Sequence, residues 1–136
     1  NKKKYKVFVL IGDGECNEGA IWEASMSASH FKLNNLTAIL DNNNLQQTGS
    51  NDEIMSSNNL ANKWKSFNWD VIEIDGHDIS QILDALNHTS DKPKLILAKT
   101  VKGKGFSFSE NNNDWHHKIL TKGQYDNALK ELNESK

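Results

Sequence analysis

Four short apolar runs, each followed by a segment with helical spacing of its apolar residues, constrain the fold of this 136-residue chain more than any other feature. The strand-like runs and helix-like segments alternate over residues 5–11, 17–32, 36–40, 56–67, 69–74, 79–87, 95–100 and 121–132. This alternation predicts the α/β class, with an open, mainly parallel sheet and helices on both faces. The chain shows no internal repeat, linker or domain boundary, so we expect a single domain over residues 1–136.

Local signals refine these elements. The first run, 5–11, is nearly continuously apolar, which is typical of a strand buried on both faces. Asp78 stands at the expected N-cap of the third helix, Pro93 opens the fourth strand, and residues 103–114 are expected to form a loop. The apolar residues that we expect on buried helix faces are Ile21, Ala24, Ala28 and Phe31, then Leu60, Trp64 and Phe67, then Ile79, Ile82, Leu83 and Leu86.

Composition argues against several classes of protein. The formal net charge of −2 argues against a nucleic-acid partner held by phosphate attraction. The longest apolar run covers residues 7–11, far short of the roughly 20 residues that a membrane span requires. Cys16 is the single cysteine, so no internal disulfide is possible, and this fits a reducing compartment. We therefore expect a cytoplasmic protein without a membrane or nucleic-acid partner.

Three polar clusters, at residues 12–14, 41–45 and 75–78, come directly after predicted strands. Ligands of open parallel sheets bind outside the carboxyl ends of the strands, so these clusters mark the expected binding edge. The 27 residues between Gly14 and Asn42 suffice for one helix and one strand, which return the chain to the same edge. Each cluster alone is more often a simple turn or loop, but the combination at this spacing is more specific.

The first two clusters suit a metal ion and a phosphate group. Gly12 and Gly14 allow a ligand to approach the backbone closely, and the start of the following helix favours an anion such as a diphosphate. The carboxylate of Asp13 would repel that anion unless a cation lies between them, and Mg²⁺ bridges carboxylates to phosphates. The side-chain oxygen of Asn43 and the backbone carbonyl of Leu45 are candidates for the second and third protein ligands.

Several sequence motifs resemble those of a known family. A GDG tripeptide followed about thirty residues later by NN resembles the thiamine-diphosphate motif. The stretches GDGECNEGAIWEA, HFKLNNLTAILDNNNLQQTG, VIEIDGHD and KTVKGKG resemble the transketolase family, most closely its split form, in which the N-terminal subunit is a separate chain. The resemblance covers about residues 5–117 and implies thiamine diphosphate and Mg²⁺ as cofactors.

The resemblance also implies roles for individual residues. Asp13, Asn43 and the backbone carbonyl of Leu45 match the Mg²⁺ ligands of the family. The full cofactor-binding set that we expect is Gly12, Asp13, Gly14, Glu15, Asn43 and Leu45. Glu18 matches a family glutamate that lies near the dimer interface and communicates with the cofactor-activating glutamate of the partner domain, which makes it a candidate catalytic residue. Glu18 is equally explained as a favourable acid in the first turn of a helix.

The activity that the resemblance implies is transfer of a two-carbon ketol unit from a ketose to an aldose, commonly as sugar phosphates. The chain would be the C-terminal portion of the diphosphate-binding domain, truncated at its N-terminal side and inactive alone. A pyrimidine-binding domain or a C-terminal transketolase subunit would complete the site in a homo- or hetero-oligomer, such as a dimer. The alternatives are a component of a deoxyxylulose-phosphate synthase or of a 2-oxoacid dehydrogenase E1 enzyme, or a non-catalytic remnant that serves as a binding module.

One position departs from the family pattern. The family commonly shows Thr-His-x-x-His beyond the glycine-rich segment, and its first histidine faces cofactor and substrate. Counted without gaps, that histidine falls on Asn113 and the second on His116. Asn113, His116 and His117 therefore stay open as alternatives for the pocket position.

Other reactive side chains have simpler interpretations. We interpret His77 as a loop histidine that hydrogen-bonds to neighbouring carboxylates, and Lys102 as a solvated lysine in a glycine-rich loop. Cys16 lies near a helix start but has Glu15 as a neighbour and no obvious base, so we do not expect it to be a nucleophile.

Overall fold

A computed structural model of the chain describes residues 5–134. Its strands are β1 (Val7–Gly12), β2 (Leu36–Asn42), β3 (Asp70–Asp75) and β4 (Lys94–Lys99). Its α-helices are α1 (Gly19–His30), α2 (Asn51–Ile54), α3 (Leu60–Ser66), α4 (Ile79–Asn87) and α5 (Lys122–Glu134), and two 3₁₀ turns cover Gly14–Asn17 and Asn113–His116. No helix among these residues is long and apolar enough to cross a membrane.

The strands form a parallel sheet in the order β1-β2-β4-β3, which confirms the predicted α/β class. Leu95 and Leu97 of β4 belong to one core cluster, which α1 and α3 cover. Ile96 and Ala98 of the same strand belong to a second cluster, which α4 covers. Successive side chains of a strand point to opposite faces, so helices lie on both faces of this sheet, as expected.

The expectation that the first strand is buried on both faces is wrong for the described part of the chain. β1 lies at the edge of the sheet and pairs only with β2 there, and its residues Val7–Leu10 are exposed. Leu10 is 70% exposed, whereas Ile11 is 5% exposed and joins the core. An apolar run indicates a strand but carries no information on the number of neighbours that the strand has.

Two predicted helices begin later than expected. The helix predicted from residue 17 begins at Gly19, because Gly14–Asn17 forms a 3₁₀ turn that Asp13 caps. The helix predicted from residue 56 begins at Leu60, since Asn59 adopts a left-handed conformation and its side chain accepts a hydrogen bond from Asn62 N. A residue whose side chain caps a helix stands before the first turn, so the helix begins only at the residue after it.

The buried helix faces are only partly as expected. Ala28, Leu60 and Trp64 are buried, and Asp78 caps α4 by accepting hydrogen bonds from Ser80 N and Gln81 N. The expected core residues that are exposed are Ala24, Phe31, Ile79 and Leu83. Their exposure shows that the described elements do not cover these positions.

A tryptophan cluster packs α1 against α3 and the residue that precedes β3. The indole N–H of Trp69 donates to the carbonyl of Ser25 (3.0 Å), and the Trp69 ring lies edge-on to Trp64 at a centroid distance of 4.7 Å. Trp22 Nε1 donates to the carbonyl of Cys16 (2.7 Å) and so ties α1 to the preceding 3₁₀ turn. The polar residues after β1 are therefore held at a defined place at the edge of the sheet.

Candidate functional site

The strand register brings the first two polar clusters together at the carboxyl edge of the sheet. Gly12 of β1 lies opposite Asp41 of β2, and Asp13 N donates to the carbonyl of Asp41 (3.1 Å). Asp41 in turn lies opposite Ala98 of β4, which places Thr100 beside it just beyond the end of the strand. The sequence predicted this meeting of the loops after the first two strands.

Asp13 is a buried carboxylate at the centre of the site, with 2% of its surface exposed. Its Oδ1 accepts a hydrogen bond from Gly14 N (2.7 Å), and its Oδ2 accepts one from Asn44 N (2.6 Å). Burial raises the pKa of Asp13 above its usual value, while the side-chain amide of Asn51 and the two backbone N–H groups act in the opposite direction. A carboxylate oxygen has two lone-pair sites, so each oxygen retains capacity for a cation.

Asn43 is oriented by its neighbours so that its amide oxygen faces the loop backbone. Its Nδ2 donates to Asp41 Oδ2 (3.3 Å), and its Oδ1 accepts a hydrogen bond from Leu45 N (2.9 Å). Asp41 Oδ1 accepts a short hydrogen bond from the hydroxyl of Thr100. A chain of side chains from Thr100 through Asp41 therefore fixes which end of the Asn43 amide is the acceptor.

All of the residues that the sequence indicated for cofactor, metal and catalysis line one cavity of about 490 Å³. The complete lining is Gly12, Asp13, Gly14, Glu15, Glu18, Asp41, Asn43, Leu45, Gln46, Gln47, Lys102 and His116. A Cβ at Gly14 would lie 3.0 Å from Gln46 Cγ, so a larger residue there would require the Gln46 side chain to shift by a few tenths of an ångström. The cavity is large enough for part of a cofactor-sized ligand.

The two glutamates of the lining differ in what they contact. Glu15 Oε2 accepts a hydrogen bond from Gly12 N (3.1 Å), so this carboxylate already binds one of the backbone N–H groups near the cavity. Glu18 occupies the N-cap position of α1, before the first turn in which we expected it, and within the described residues its side chain makes no capping hydrogen bond. The interpretation of Glu18 as a first-turn acid is therefore wrong, and its side chain is exposed at the cavity.

The three alternatives for the pocket position differ in where they lie relative to the cavity. His116 lines the cavity, and its Nδ1 lies 3.5 Å from the ammonium nitrogen of Lys102, which lines the cavity as well. Among the described residues, Asn113 is not part of the lining, and His117 Nε2 instead lies 3.0 Å from Gln47 Nε2. Desolvation lowers the pKa of His116, and the nearby charges of Lys102 and His117 lower it further.

Sequence reasoning missed several residues of the site. Lys102, interpreted as solvated, is half-buried at the cavity, and Asp41 was only a member of a polar cluster. Asn51, 5% exposed and close to Asp13, had no signal of its own. The Ser50-x-x-Glu53 pattern was a signal for α2, because these residues form the capping box that places Asn51 in its first turn.

Two reactive side chains are accounted for outside the chemistry of the site. Cys16 is buried, and its burial raises the pKa of the thiol to about 11, so it stays protonated and fits the expectation that it is no nucleophile. We expected the side chain of His77 to hydrogen-bond to neighbouring carboxylates, and this is wrong. His77 Nε2 accepts a hydrogen bond from Val101 N (2.8 Å), and it is the backbone N–H of His77 that donates to the carboxylate of Asp75.

The residues that line the cavity include several with oxygen atoms that suit a hard metal ion. Within residues 5–134 there is no group of three or more histidine, cysteine, aspartate and glutamate side chains that could hold a metal ion. One carboxylate, an amide oxygen and a backbone carbonyl are instead present at Asp13, Asn43 and Leu45. This set suits Mg²⁺, which typically takes one or two carboxylates and completes its octahedral shell with ligand phosphates and water.

The fold and the cavity define a class: an open α/β domain with a ligand site at the carboxyl edge of a parallel sheet. The family model described as "Transketolase, thiamine diphosphate binding domain" matches residues 2–133. The chain belongs to this family, and thiamine diphosphate, with Mg²⁺ as its usual partner, is the cofactor of that family.

Similar proteins include transketolase subunits that are separate chains. The chain is 42% identical to an apulose-4-phosphate transketolase subunit of Phocaeicola vulgatus, over 98% of this chain and 49% of that protein. It is 41% identical to a 6-deoxy-6-sulfo-D-fructose transketolase subunit of a Clostridium species, over 93% of this chain and 47% of that protein. The chain thus spans about half the length of these curated relatives, and about a fifth of human transketolase, to which it is 36% identical.

The fold also matches solved transketolases. The crystal structure of transketolase from Campylobacter jejuni superimposes on this structure with a TM-score of 0.88 at 32% identity. The superposition covers 93% of this chain and 20% of that chain. A transketolase from Pichia stipitis in complex with sedoheptulose-7-phosphate superimposes with a TM-score of 0.84 at 28% identity, over 93% of this chain and 19% of that chain. The arrangement of helices and strands described above is therefore that of the transketolase cofactor domain.

Proposed function

We propose that the chain supplies the Mg²⁺ and diphosphate anchor of a transketolase-type enzyme that transfers a two-carbon ketol unit from a ketose to an aldose. The observation that carries the proposal is the buried carboxylate of Asp13 in one cavity with Asn43 and Leu45. A carboxylate with so little exposed surface is costly unless it has a function or a counter-charge, and a bound cation supplies the counter-charge.

The proposed roles follow from the contacts of each residue. Asp13, the amide oxygen of Asn43 and the carbonyl of Leu45 hold the metal ion. The backbone at Gly12 and Gly14, with Glu15 beside it, accommodates the diphosphate. Thiamine diphosphate, when bound, supplies the carbanion chemistry, and the residues of this chain supply binding, orientation and electrostatics.

A cationic side chain in the cavity lining fits phosphorylated ligands. Lys102 carries a positive charge into the lining, and His116 lies against it. We propose that this pair attracts the phosphate groups of the cofactor or substrate, with His116 in the pocket position of the family histidine. Relatives whose names or structures carry sugar phosphates support a sugar-phosphate substrate here.

The proposed assembly contains a second chain or domain. The chain is the C-terminal portion of a diphosphate-binding domain, and a C-terminal transketolase subunit or a fused pyrimidine-binding domain supplies the glutamate that activates the cofactor. Relatives named as individual subunits of transketolases support a split form, in a homo- or hetero-oligomer. Glu18, exposed at the cavity and at the start of α1, is the residue proposed to communicate with that partner.

The test is a pair of activity assays on the complete subunit with its partner. We expect transfer of a two-carbon unit from a ketose phosphate to an aldose phosphate, and no decarboxylation of pyruvate. Asp13→Ala should abolish the transfer, while Asp84→Ala, at an exposed aspartate of α4, should leave it unchanged. Activity with pyruvate alone would support a component of a synthase or dehydrogenase. Absence of both activities in a correctly assembled complex would support a non-catalytic binding module.

A further inference from the structure

A second cavity lies at the carboxyl edge of the sheet, next to the cofactor cavity. It has a volume of about 220 Å³, and its lining includes Asn42, Asn44, Asn51, Asn58 and Asn59, so we call it the asparagine cavity. The last residues of β2 and β4 belong to its lining as well. Ligands of open parallel sheets bind outside the carboxyl ends of the strands, so this cavity has the position of a binding site.

Asn51 gives the asparagine cavity a buried side chain whose polar atoms are unpaired. The residue is 5% exposed, and within residues 5–134 neither its Oδ1 nor its Nδ2 has a hydrogen-bond partner. Buried polar side chains are nearly always bonded, either to protein groups or to a bound molecule. A residue of the cavity wall therefore offers one free acceptor and one free donor group.

Hydrogen bonds hold the wall around Asn51 in place. Asn51 N donates to the carbonyl of Asn44 (3.0 Å), and a capping box closes the first turn of α2, which begins at Asn51. In the segment before α3, Asn59 Oδ1 accepts a hydrogen bond from Asn62 N (3.2 Å). The cavity is therefore preformed, and the Asn51 side chain cannot turn into solvent unless the start of α2 opens.

The charged residues of the lining argue against an ion as the ligand. Asp52 and Glu73 are acidic and Lys99 is basic, and Lys99 Nζ lies 3.4 Å from Glu73 Oε2. An anion would meet two carboxylates, and a cation would leave Asn51 Nδ2 unpaired, because an amide nitrogen only donates. A hydroxyl group both donates and accepts, so an uncharged molecule with several hydroxyl groups satisfies both atoms of the amide.

The size of the asparagine cavity and its apolar wall fit a short carbon chain. At roughly 30 Å³ for each molecule of liquid water, the cavity holds about seven waters, or a chain of about five hydroxylated carbons. Leu60, Ala61 and Leu97 are buried residues of the lining. The C–H groups of such a chain bury apolar surface against these side chains, which water molecules alone do not.

We propose that the asparagine cavity binds a small, uncharged polyol or unphosphorylated sugar, whose hydroxyl groups bond to the side-chain amide of Asn51. The site is separate from the cofactor cavity, because among the described residues Asn51 is not part of that lining. The proposal goes beyond the proposed function and does not depend on Asp13 as a metal ligand.

Titration with ribitol, an uncharged five-carbon polyol, tests the proposal. Binding to the complete subunit with its partner, in saturating thiamine diphosphate and Mg²⁺, is followed by saturation-transfer NMR. We expect a Kd on the order of 1 mM for the wild type, as is usual for so small a ligand. Asn51→Leu removes both polar atoms at similar size and should weaken binding about tenfold. Ser57→Ala, at another buried residue of the lining, should weaken it about threefold.

Gln47→Ala is the matched control for the place of binding. Gln47 lines the cofactor cavity and, among the described residues, not the asparagine cavity, so this variant should bind ribitol as the wild type does. Loss of binding in Gln47→Ala but not in Asn51→Leu would locate ribitol in the cofactor cavity and overturn the proposal. No saturable binding by the wild type, or displacement of ribitol by Ca²⁺, would overturn it as well.

The thermal midpoint without ribitol separates ligand binding from a structural role of the amide. Asn51→Leu should unfold at no lower temperature than the wild type, because an unpaired amide contributes no stabilising hydrogen bond. If Asn51→Leu does not fold, Ser57→Ala decides, and wild-type ribitol affinity in that variant would refute the site. A crystal structure of the complex soaked in ribitol should show hydroxyl groups bonded to Asn51, and only water molecules there would contradict the proposal.

Discussion

Thr100→Val should weaken the site without touching a proposed ligand. The substitution preserves the shape of the side chain and removes the hydroxyl that donates to Asp41 Oδ1. Asp41 is the acceptor that orients the Asn43 amide through its other oxygen, at 3.3 Å. Without the hydroxyl, this carboxylate can turn, and the orientation of the Asn43 amide is then held only by its hydrogen bond from Leu45 N.

The magnitude follows from the bond that is lost. A hydrogen bond to a charged group contributes about 1.5–3 kcal/mol, and the lower end applies because Asp41 is only half-buried. We therefore expect the free energy of unfolding to fall by about 1.5 kcal/mol in urea titrations of the cofactor-free protein. The affinity for thiamine diphosphate in saturating Mg²⁺ should fall by about tenfold, as is usual when an outer partner of a ligand is removed.

Two controls bracket this result. Thr100→Ser keeps the hydroxyl and should bind the cofactor nearly as the wild type does. Thr89→Val makes the same chemical change at an exposed threonine that follows α4 and lies outside the lining of the cofactor cavity, and should leave cofactor affinity unchanged. Wild-type cofactor affinity in Thr100→Val would refute the idea that Asp41 orients Asn43.

Three further outcomes test other parts of the fold. Lys94→Met should lower the free energy of unfolding by about 3 kcal/mol in urea titrations, with no change in cofactor affinity, because the buried ammonium donates to three carbonyls at the C-terminal end of α4 (2.7, 2.9 and 3.2 Å). Hydrogen bonds from Ser80 and Gln81 lower the pKa of Asp78 to about 2, so its capping contribution to stability is present above pH 4 and is lost as the pH falls toward 2. The free energy of unfolding of Asp78→Ala should therefore change less with pH in that window than that of the wild type. Cys16 should react with iodoacetamide at pH 8 only after unfolding, as followed by mass spectrometry, because its buried thiol has a pKa raised to about 11.

The periodicity of the sequence was sufficient for the fold class and for the edge of the sheet at which the predicted site residues meet. Alternating runs predicted the strands and the main helices, and the positions of Asp13 and Asn43 after two strands predicted that they line one site. Local patterns could not predict that β1 is an edge strand with Leu10 exposed, because the order of strands depends on long-range pairing.

The residues that sequence reasoning missed depend on tertiary contacts. Lys102 resembles any loop lysine until the chain beyond β4 folds back over the carboxyl edge and His116 lies beside it. Asn51 is one of many asparagines, and only the hairpin that ends with it makes its side chain buried. The direction of a side chain in a loop is set by such contacts and leaves no periodic signal.

The most direct test of the central claim is the dependence of thiamine diphosphate binding on Mg²⁺, measured calorimetrically with the complete subunit in complex with its partner. We predict that the affinity of the wild type rises with Mg²⁺ concentration and is lost in excess EDTA, and that Asp13→Ala shows no such dependence. Tight binding of the cofactor by the wild type in EDTA, or an unchanged response to Mg²⁺ in Asp13→Ala, would contradict the assignment of Asp13 as the metal-binding carboxylate.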